Sequence, residues 1–268
     1  MNPFLAVFES LFDAPLLIAG PVIIGSLCLF GVIGSLVVRR YILPKLRIPD
    51  ADSGFCGAMQ QAVMVFYGLS VALIVVNVWQ HYYDVARVIS QEADAVAALY
   101  RDVSSYPEPS RSQLQKELRE YIDQIIHQAW PLQQRGETPF TGGKMLDTFQ
   151  ATLNSFEPST EGQKVLHAET MRDYDELVRA LGLRLDAMQV RLPGVLWFII
   201  IAGALISLSS SFFFRVEDVW LQGIQVSLLA AFIGIAIFLI FAFDRPFRGE
   251  LSLRPDSYQR VYDKLMKR

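Results

Sequence analysis

The chain has 268 residues, of which 52% are hydrophobic and only 19% charged, and its formal net charge is -3. Soluble domains carry about 25% charged residues, so this composition argues against an ordinary soluble protein. The net charge indicates no particular partner, but the sequence has no basic run that would suggest nucleic-acid binding, and no nucleic-acid partner is expected.

The apolar residues are concentrated in four blocks that contain no charged side chain, at residues 15–38, 55–80, 192–214 and 219–243. Each block exceeds the roughly 18 apolar residues that indicate a membrane-spanning helix, and spanning segments of this kind must be helical to satisfy their backbone. The first block follows Glu9 and Asp13 and is longer than the apolar part of a secretory signal. The sequence therefore predicts four retained helices in a lipid bilayer.

The second membrane helix is predicted to continue out of the bilayer, because no helix breaker occurs between residues 58 and 106. Pro107 and Pro109 end it. Ser110 and Gln113 resemble a capping box that opens the next helix. The apolar stripe of that helix has helical spacing: Leu114, Leu118, Ile122, Ile125 and Ala129.

The rest of the insertion between the second and third membrane helices is also predicted to be helical. Residues 131–140 are expected to form a loop, Thr141 to begin a short helix through Phe156, and Thr160 with Gln163 to cap a long helix that ends near Arg191. Pro193 suits the first turn of the third membrane helix. Small residues at four-residue spacing, such as Gly31 and Ser35, favour close packing of the membrane helices within one chain.

The predicted fold is an all-α integral membrane protein with four transmembrane helices and a helical soluble domain between helices 2 and 3. Its parts are membrane helices 1 and 2 in residues 1–80, the soluble domain in 81–191, membrane helices 3 and 4 in 192–243, and a basic tail in 244–268.

Four spans place both termini and the soluble domain on one side of the membrane. The basic cluster from Arg39 to Arg47 favours a cytoplasmic location for the opposite side, whereas the tail and the residues before helix 3 carry more basic side chains. We expect a cytoplasmic soluble domain and a bacterial inner membrane, with a plant organelle as the alternative.

No constellation of residues indicates catalysis, a metal site or a cofactor. His81, His127 and His167 lie on different predicted helices and lack ligand spacing, and neither Cys28 nor Cys56 has a histidine nearby in the sequence. We therefore expect no enzyme activity, no catalytic residue, no bound metal and no cofactor.

The second membrane helix carries a polar stripe. Alternating steps of three and four residues place the stripe on one helix face: Gln60, Val63, Tyr67, Ser70, Ile74 and Asn77. Buried amides are costly in lipid, so this face is expected to contact protein or water. It is either a hydrogen-bonded seam between helices or the lining of a water-filled pore, in which Val63 and Ile74 form the narrow points. The four blocks lack the ionisable residue that proton-coupled carriers usually keep.

Several motifs together resemble the bestrophin-like domain-of-unknown-function family of bacterial and plant membrane proteins. They are Trp79, Tyr83, Glu92, Tyr100, Arg101, Asp102, Trp130 and Pro131, followed after the last membrane helix by Asp244, Arg245, Pro246 and Phe247. In the interpretation made from sequence, these residues are structural rather than pore-lining.

This resemblance implies a distant relation to the bestrophins, which are pentameric anion channels whose second helix lines the pore. Arg248 separates Phe247 from Gly249, and the dense acidic run of the calcium-gated members is missing, so the resemblance does not extend to calcium gating.

The leading hypothesis is an oligomeric ion channel that passes small anions through a ring, a pentamer by analogy, with the second helix at its axis. The alternative is a non-conducting membrane sensor or scaffold in which the polar stripe is an internal seam. A membrane enzyme is the third option, with no residue constellation behind it.

Overall fold

The structure of the protein is a computed structural model that describes residues 15–45, 53–137, 141–213 and 218–267, without the side chains of residues 53–56 and 141. The predictions that involve Glu9, Asp13, Arg47 and the Cys56 side chain lie outside these described residues. All regular secondary structure in the described part is helical.

The predicted helices occur in the predicted order, together with two short helices that the sequence did not predict. They are α1 (Leu16–Val37), α2 (Ser53–Val103), α3 (Ser110–Gln124), α4 (Trp130–Gln134), α5 (Thr141–Asn154), α6 (Glu161–Gln189), α7 (Gly194–Ser211), α8 (Val219–Phe243) and α9 (Asp256–Val261). Within the described residues, π-helical turns continue α1, α3 and α9, at Val38–Ile42, Ile125–Ala129 and Tyr262–Met266.

Four helical segments are long and apolar enough to cross a membrane: Leu16–Ile42, Gly57–Val103, Glu161–Ser211 and Val219–Phe243. They confirm the predicted membrane protein with four spans. The chain forms two compact units, which we call the membrane unit (Met1–His81 and Arg191–Arg245) and the helical unit (Tyr82–Val190 and Pro246–Arg268). The C-terminal tail after Arg245 belongs to the helical unit.

Within the membrane unit, small residues let α1 approach α8 closely. A Cβ atom added at Gly31 would lie 2.9 Å from Val226 Cγ1, and one at Gly234 would lie 3.0 Å from the Cα atom of Ile24. The hydrophobic effect does not drive helices together in lipid, so van der Waals contact at such close spacing stabilises their packing. Packing within the chain therefore explains Gly31.

Within the helical unit, the apolar stripe of α3 and its π-helical turn is buried as predicted. Leu114, Leu118 and Ile122 are completely buried, and Ile125 is 2% exposed. The stripe packs in one cluster with α2, α5, α6 and the tail, so the tail contributes to the core of this unit.

The helix ends show where local prediction was right and where it was wrong. Thr160 and Gln163 form the predicted capping box at the start of α6. The predicted box at Ser110 is wrong, because Ser110 is already helical and its helix has no side-chain cap at Pro109. The Glu108 carboxylate instead accepts hydrogen bonds from the Ser112 backbone N–H (3.2 Å) and hydroxyl (2.6 Å).

Several predicted boundaries also shift. Residues 131–134 are helical rather than part of a loop, because Trp130 and Gln133 are buried and hold this turn against the core. Helix α2 ends at Val103, three residues before the expected end, and α6 ends at Gln189. Pro193 precedes the first residue of α7 and occupies its N-cap position.

Candidate functional site

The predicted stripe on α2 divides into residues that pack inside the membrane unit and residues that face outward. Tyr67 packs inside: its hydroxyl donates a hydrogen bond to the Ile200 carbonyl oxygen (3.2 Å), and its ring occupies the space above Gly203 of α7. Ile74 is half-buried in the same apolar cluster. The Tyr67 side chain therefore forms part of a seam between α2 and α7.

Ser70 and Asn77 face outward. The Ser70 hydroxyl donates to the Phe66 carbonyl oxygen (2.8 Å) in its own helix, which lowers the cost of placing it in an apolar surrounding. Asn77 is exposed, and no described residue accepts or donates a hydrogen bond at its amide. Gln60 and Val63 are half-buried between the two groups.

Large apolar side chains flank the outward polar residues. Phe66 is 72% exposed and Leu73 is 65% exposed. With Ser70 and Asn77 of the predicted stripe they follow steps of four, three and four residues, and each of the two lies one position before a stripe residue. Sequence reasoning missed Phe66 and Leu73 because it followed the polar residues alone, although both also lie at helical spacing from Ser70 and Asn77.

Among the family-motif residues, Glu92 forms the most buried polar contact of the helical unit. Its carboxylate is fully buried and pairs with Arg184 of α6, with Nε to Oε2 at 2.6 Å. The Tyr121 hydroxyl donates to Oε1 at 2.7 Å. One carboxylate on α2 therefore joins α3 and α6.

The surroundings of this carboxylate also change the acidity of two phenols. Burial, and then the negative charge of Glu92, raise the pKa of Tyr121 well above its ordinary value. The same two causes raise the pKa of Tyr258 in the tail, whose buried hydroxyl lies near Glu92 without forming a hydrogen bond of ordinary geometry. Both phenols therefore stay neutral at physiological pH.

Trp130 and Phe247 hold the tail against the helical unit. The indole N–H donates to the Leu253 carbonyl oxygen at 3.1 Å. The ring packs 5.7 Å from Phe247 and 5.9 Å from Tyr258, measured between centroids. Pro131 follows Trp130 in the first turn of α4. This motif fixes the tail.

Residues 100–102 have different surroundings. The Tyr100 hydroxyl accepts a hydrogen bond from Arg119 at 2.8 Å. Arg101 is exposed and donates through Nε to the Ala97 carbonyl oxygen of its own helix. Burial, and then the negative charge of Asp173, raise the pKa of Asp102 above its ordinary value. Tyr100 is thus explained by packing, and Arg101 is not.

The remaining motif residues lie in the chain where the membrane unit ends or just beyond it. Asp244 accepts a hydrogen bond from the Leu192 backbone N–H at 2.9 Å, which ties the end of α8 to the start of α7. The Trp79 ring packs edge-on against Phe243, 4.9 Å between centroids. Tyr83 is largely exposed. The Pro246 carbonyl oxygen accepts from the Leu253 N–H at 2.8 Å, and Arg245 precedes this turn.

Comparisons with known proteins agree with this architecture. One similar crystal structure is a single-substitution variant of a bacterial bestrophin homologue from Klebsiella pneumoniae, with a TM-score of 0.66 and 10% identity; 91% of this chain and 98% of that chain are covered. Another structure of that homologue, from Zn-SAD phasing, has a TM-score of 0.63 and 11% identity, with 90% and 97% covered.

A third crystal structure, of a membrane protein variant, has a TM-score of 0.68 and 11% identity, and 90% of this chain and 96% of that chain are covered. No curated protein matches the sequence. At such low identity the structures show the fold alone. The sequence model of the Bestrophin-like domain matches residues 25–258, and the chain therefore belongs to the Bestrophin-like family.

Proposed function

We propose that this protein is an oligomeric anion channel whose pore is lined by the outward face of α2. The face comprises Phe66, Ser70, Leu73 and Asn77. The observation that carries the proposal is the exposed Asn77 amide, which lies in a membrane-spanning segment and forms no hydrogen bond within the described part of its own subunit. An unsatisfied amide costs several kcal/mol in hydrocarbon, so this face requires water or protein.

A ring of subunits supplies that environment. Repeated head-to-tail contacts close into a ring, and the same face of every α2 then surrounds the symmetry axis. Membership of the Bestrophin-like family and the bestrophin homologue of similar fold support such an assembly with small anions as its permeant ions. A pentamer is the subunit number that the family resemblance favours.

The proposed pore differs from the stripe predicted from sequence. Tyr67 and Ile74 are left out of the proposed pore, because they pack inside the membrane unit. Phe66 and Leu73 replace Val63 and Ile74 as the apolar rings, and Ser70 and Asn77 remain as polar rings. Apolar rings in a narrow pore gate ions by excluding water, so Phe66 and Leu73 are the proposed constrictions.

The test is halide flux into liposomes that contain the purified protein. The double substitution Ser70→Leu, Asn77→Leu removes both polar rings and is expected to reduce flux by at least about tenfold, since it lengthens the apolar part of the path. The matched control is Val65→Leu, Ala72→Leu, which alters exposed positions of the same helix on the opposite side from Ser70, given about 100° per residue. The control is expected to keep its flux.

Equal flux in the two variants would contradict a pore on this face. The second candidate function, a non-conducting sensor or scaffold, rests on the unbroken course of α2 over 51 residues. It predicts no flux above that of empty liposomes for any halide, in protein that is folded and assembled.

A further inference from the structure

The helical unit contains a basic pocket between α2 and the tail that the proposed channel function does not use. Its volume is about 360 Å³. Its polar lining comes from Ser90, Asp94 and Arg101 of α2, and from Ser257, Arg260 and Lys264 of the tail. We call it the basic pocket. The basic pocket includes Arg101, the motif residue that packing leaves unexplained.

The charges of the basic pocket are unbalanced. Three cationic side chains accompany one carboxylate, Asp94, and within the described ranges neither arginine nor Lys264 forms an ion pair. Like charges gathered in a concave surface repel each other, and they raise the local concentration of counter-ions. A bound anion would relieve this repulsion.

Both arginines are held by their own helices in a similar way. Arg101 Nε donates to the Ala97 carbonyl oxygen at 3.1 Å, and Arg260 Nε donates to the Asp256 carbonyl oxygen at 3.3 Å. Arg260 Nη2 also donates to the Ser257 hydroxyl at 3.1 Å. These bonds fix one edge of each guanidinium. The remaining N–H groups of the terminal nitrogens can donate hydrogen bonds to a ligand. Two oriented guanidinium groups suit the several oxygens of a phosphate group.

We propose that the basic pocket binds a phosphate group, carried either by a soluble phosphate compound or by a lipid headgroup. Arg101, Arg260 and Lys264 neutralise the phosphate charge, and the Ser90 and Ser257 hydroxyls supply hydrogen bonds. The volume accommodates one or two linked phosphates. Asp94 repels the anion and limits its affinity, so we expect the bound ligand to exchange with ligand in solution. This inference does not depend on the channel function, since it concerns binding to the helical unit.

The experiment measures equilibrium binding to the full-length protein in detergent, at constant ionic strength, by microscale thermophoresis. The probes are inorganic phosphate, inorganic pyrophosphate and short-chain phosphatidic acid. Saturable binding of at least one probe is expected. Lys264→Gln and Arg260→Gln are each expected to weaken it by about tenfold, because each removes one charge-assisted contact. Asp94→Asn is expected to tighten it.

The matched control is Lys267→Gln. Lys267 lies one turn after Lys264 and pairs with Asp263 at 3.3 Å, so the control removes the same charge outside the pocket. Its affinity should stay within about twofold of the unmodified protein, since Lys267 does not line the pocket and already pairs with Asp263. Binding of phosphate or pyrophosphate identifies a soluble ligand, and binding of phosphatidic acid alone identifies a lipid headgroup. No saturable binding of any probe, or equal effects of Lys264→Gln and Lys267→Gln, would overturn the proposal.

Discussion

At the scale of single residues, the helical unit contains a buried charge pair, Glu92 with Arg184. Glu92 and Arg184 are 0% and 2% exposed, so each charge has lost its hydration. Attraction between such charges roughly offsets the cost of burial, and the pair adds little net stability compared with well-packed apolar residues. Loss of a single partner is different, because the remaining charge then stays buried without compensation.

We therefore expect Glu92→Gln to lower the free energy of unfolding by about 3–5 kcal/mol, although glutamine has almost the same shape. Thermal unfolding of the purified protein, followed by tryptophan fluorescence, measures the effect as a lower midpoint.

Two further variants control the Glu92 experiment. Tyr121→Phe removes only one hydrogen bond to the carboxylate and should cost about 1.5–3 kcal/mol. The double substitution Glu92→Leu, Arg184→Met should be more stable than Glu92→Gln, because no charge remains. A double variant that is less stable than Glu92→Gln would refute this account of the pair.

At the scale of helices, close approach in the membrane unit depends on where Cβ atoms are absent. A Cβ atom at Gly203 of α7 would lie 2.6 Å from the Tyr67 ring, whereas a Cβ atom at Gly223 of α8 would meet nothing within 4 Å. The two glycines look alike in sequence, since each begins a series of small residues at four-residue spacing in an apolar block. Only the first is required by the packing of α2 on α7.

The substitution Gly203→Ala is expected to destabilise the protein by about 1–3 kcal/mol, because the added methyl group displaces the Tyr67 ring. Gly223→Ala is the matched control and should be neutral or slightly stabilising, since alanine favours helix. Unfolding midpoints in detergent compare the two variants. Equal midpoints would show that Tyr67 does not pack against Gly203.

At the scale of the whole molecule, the proposed ring places the outward face of α2 at the axis. Neighbouring copies of an axial residue are then close to one another, while residues on the opposite side of α2 are not. The geometry of the assembly can therefore be tested without measuring conduction.

In protein whose native cysteines are replaced, Ser70→Cys and Asn77→Cys should each give disulfide-linked dimers on mild oxidation in the membrane. Ala72→Cys, which is exposed on the other side of α2, should give few. Denaturing gel electrophoresis without reductant separates the products. A reversed pattern, with efficient linkage at Ala72→Cys alone, would contradict the placement of the outward face of α2 at the axis.

Prediction from sequence was strongest where the cause is local. Four apolar blocks specify four spans because a backbone in hydrocarbon must form its own hydrogen bonds. The prediction of the Thr160 and Gln163 capping box was correct because its cause is also local: both partners lie within one helical turn. The Ser110 box failed because Glu108 and Ser112 offer the first turn of α3 a competing set of hydrogen bonds.

The sequence by itself thus determined the membrane class, the order of the helices and the family. The tertiary structure decided which side of α2 faces outward, since Tyr67 is as polar as Ser70 in sequence and only its contact with α7 removes it from the surface. It also decided that the tail shares a core with the helical unit and that Arg101, Arg260 and Lys264 meet in one pocket. These features join residues far apart in the chain, and helical periodicity orders only residues that share one helix.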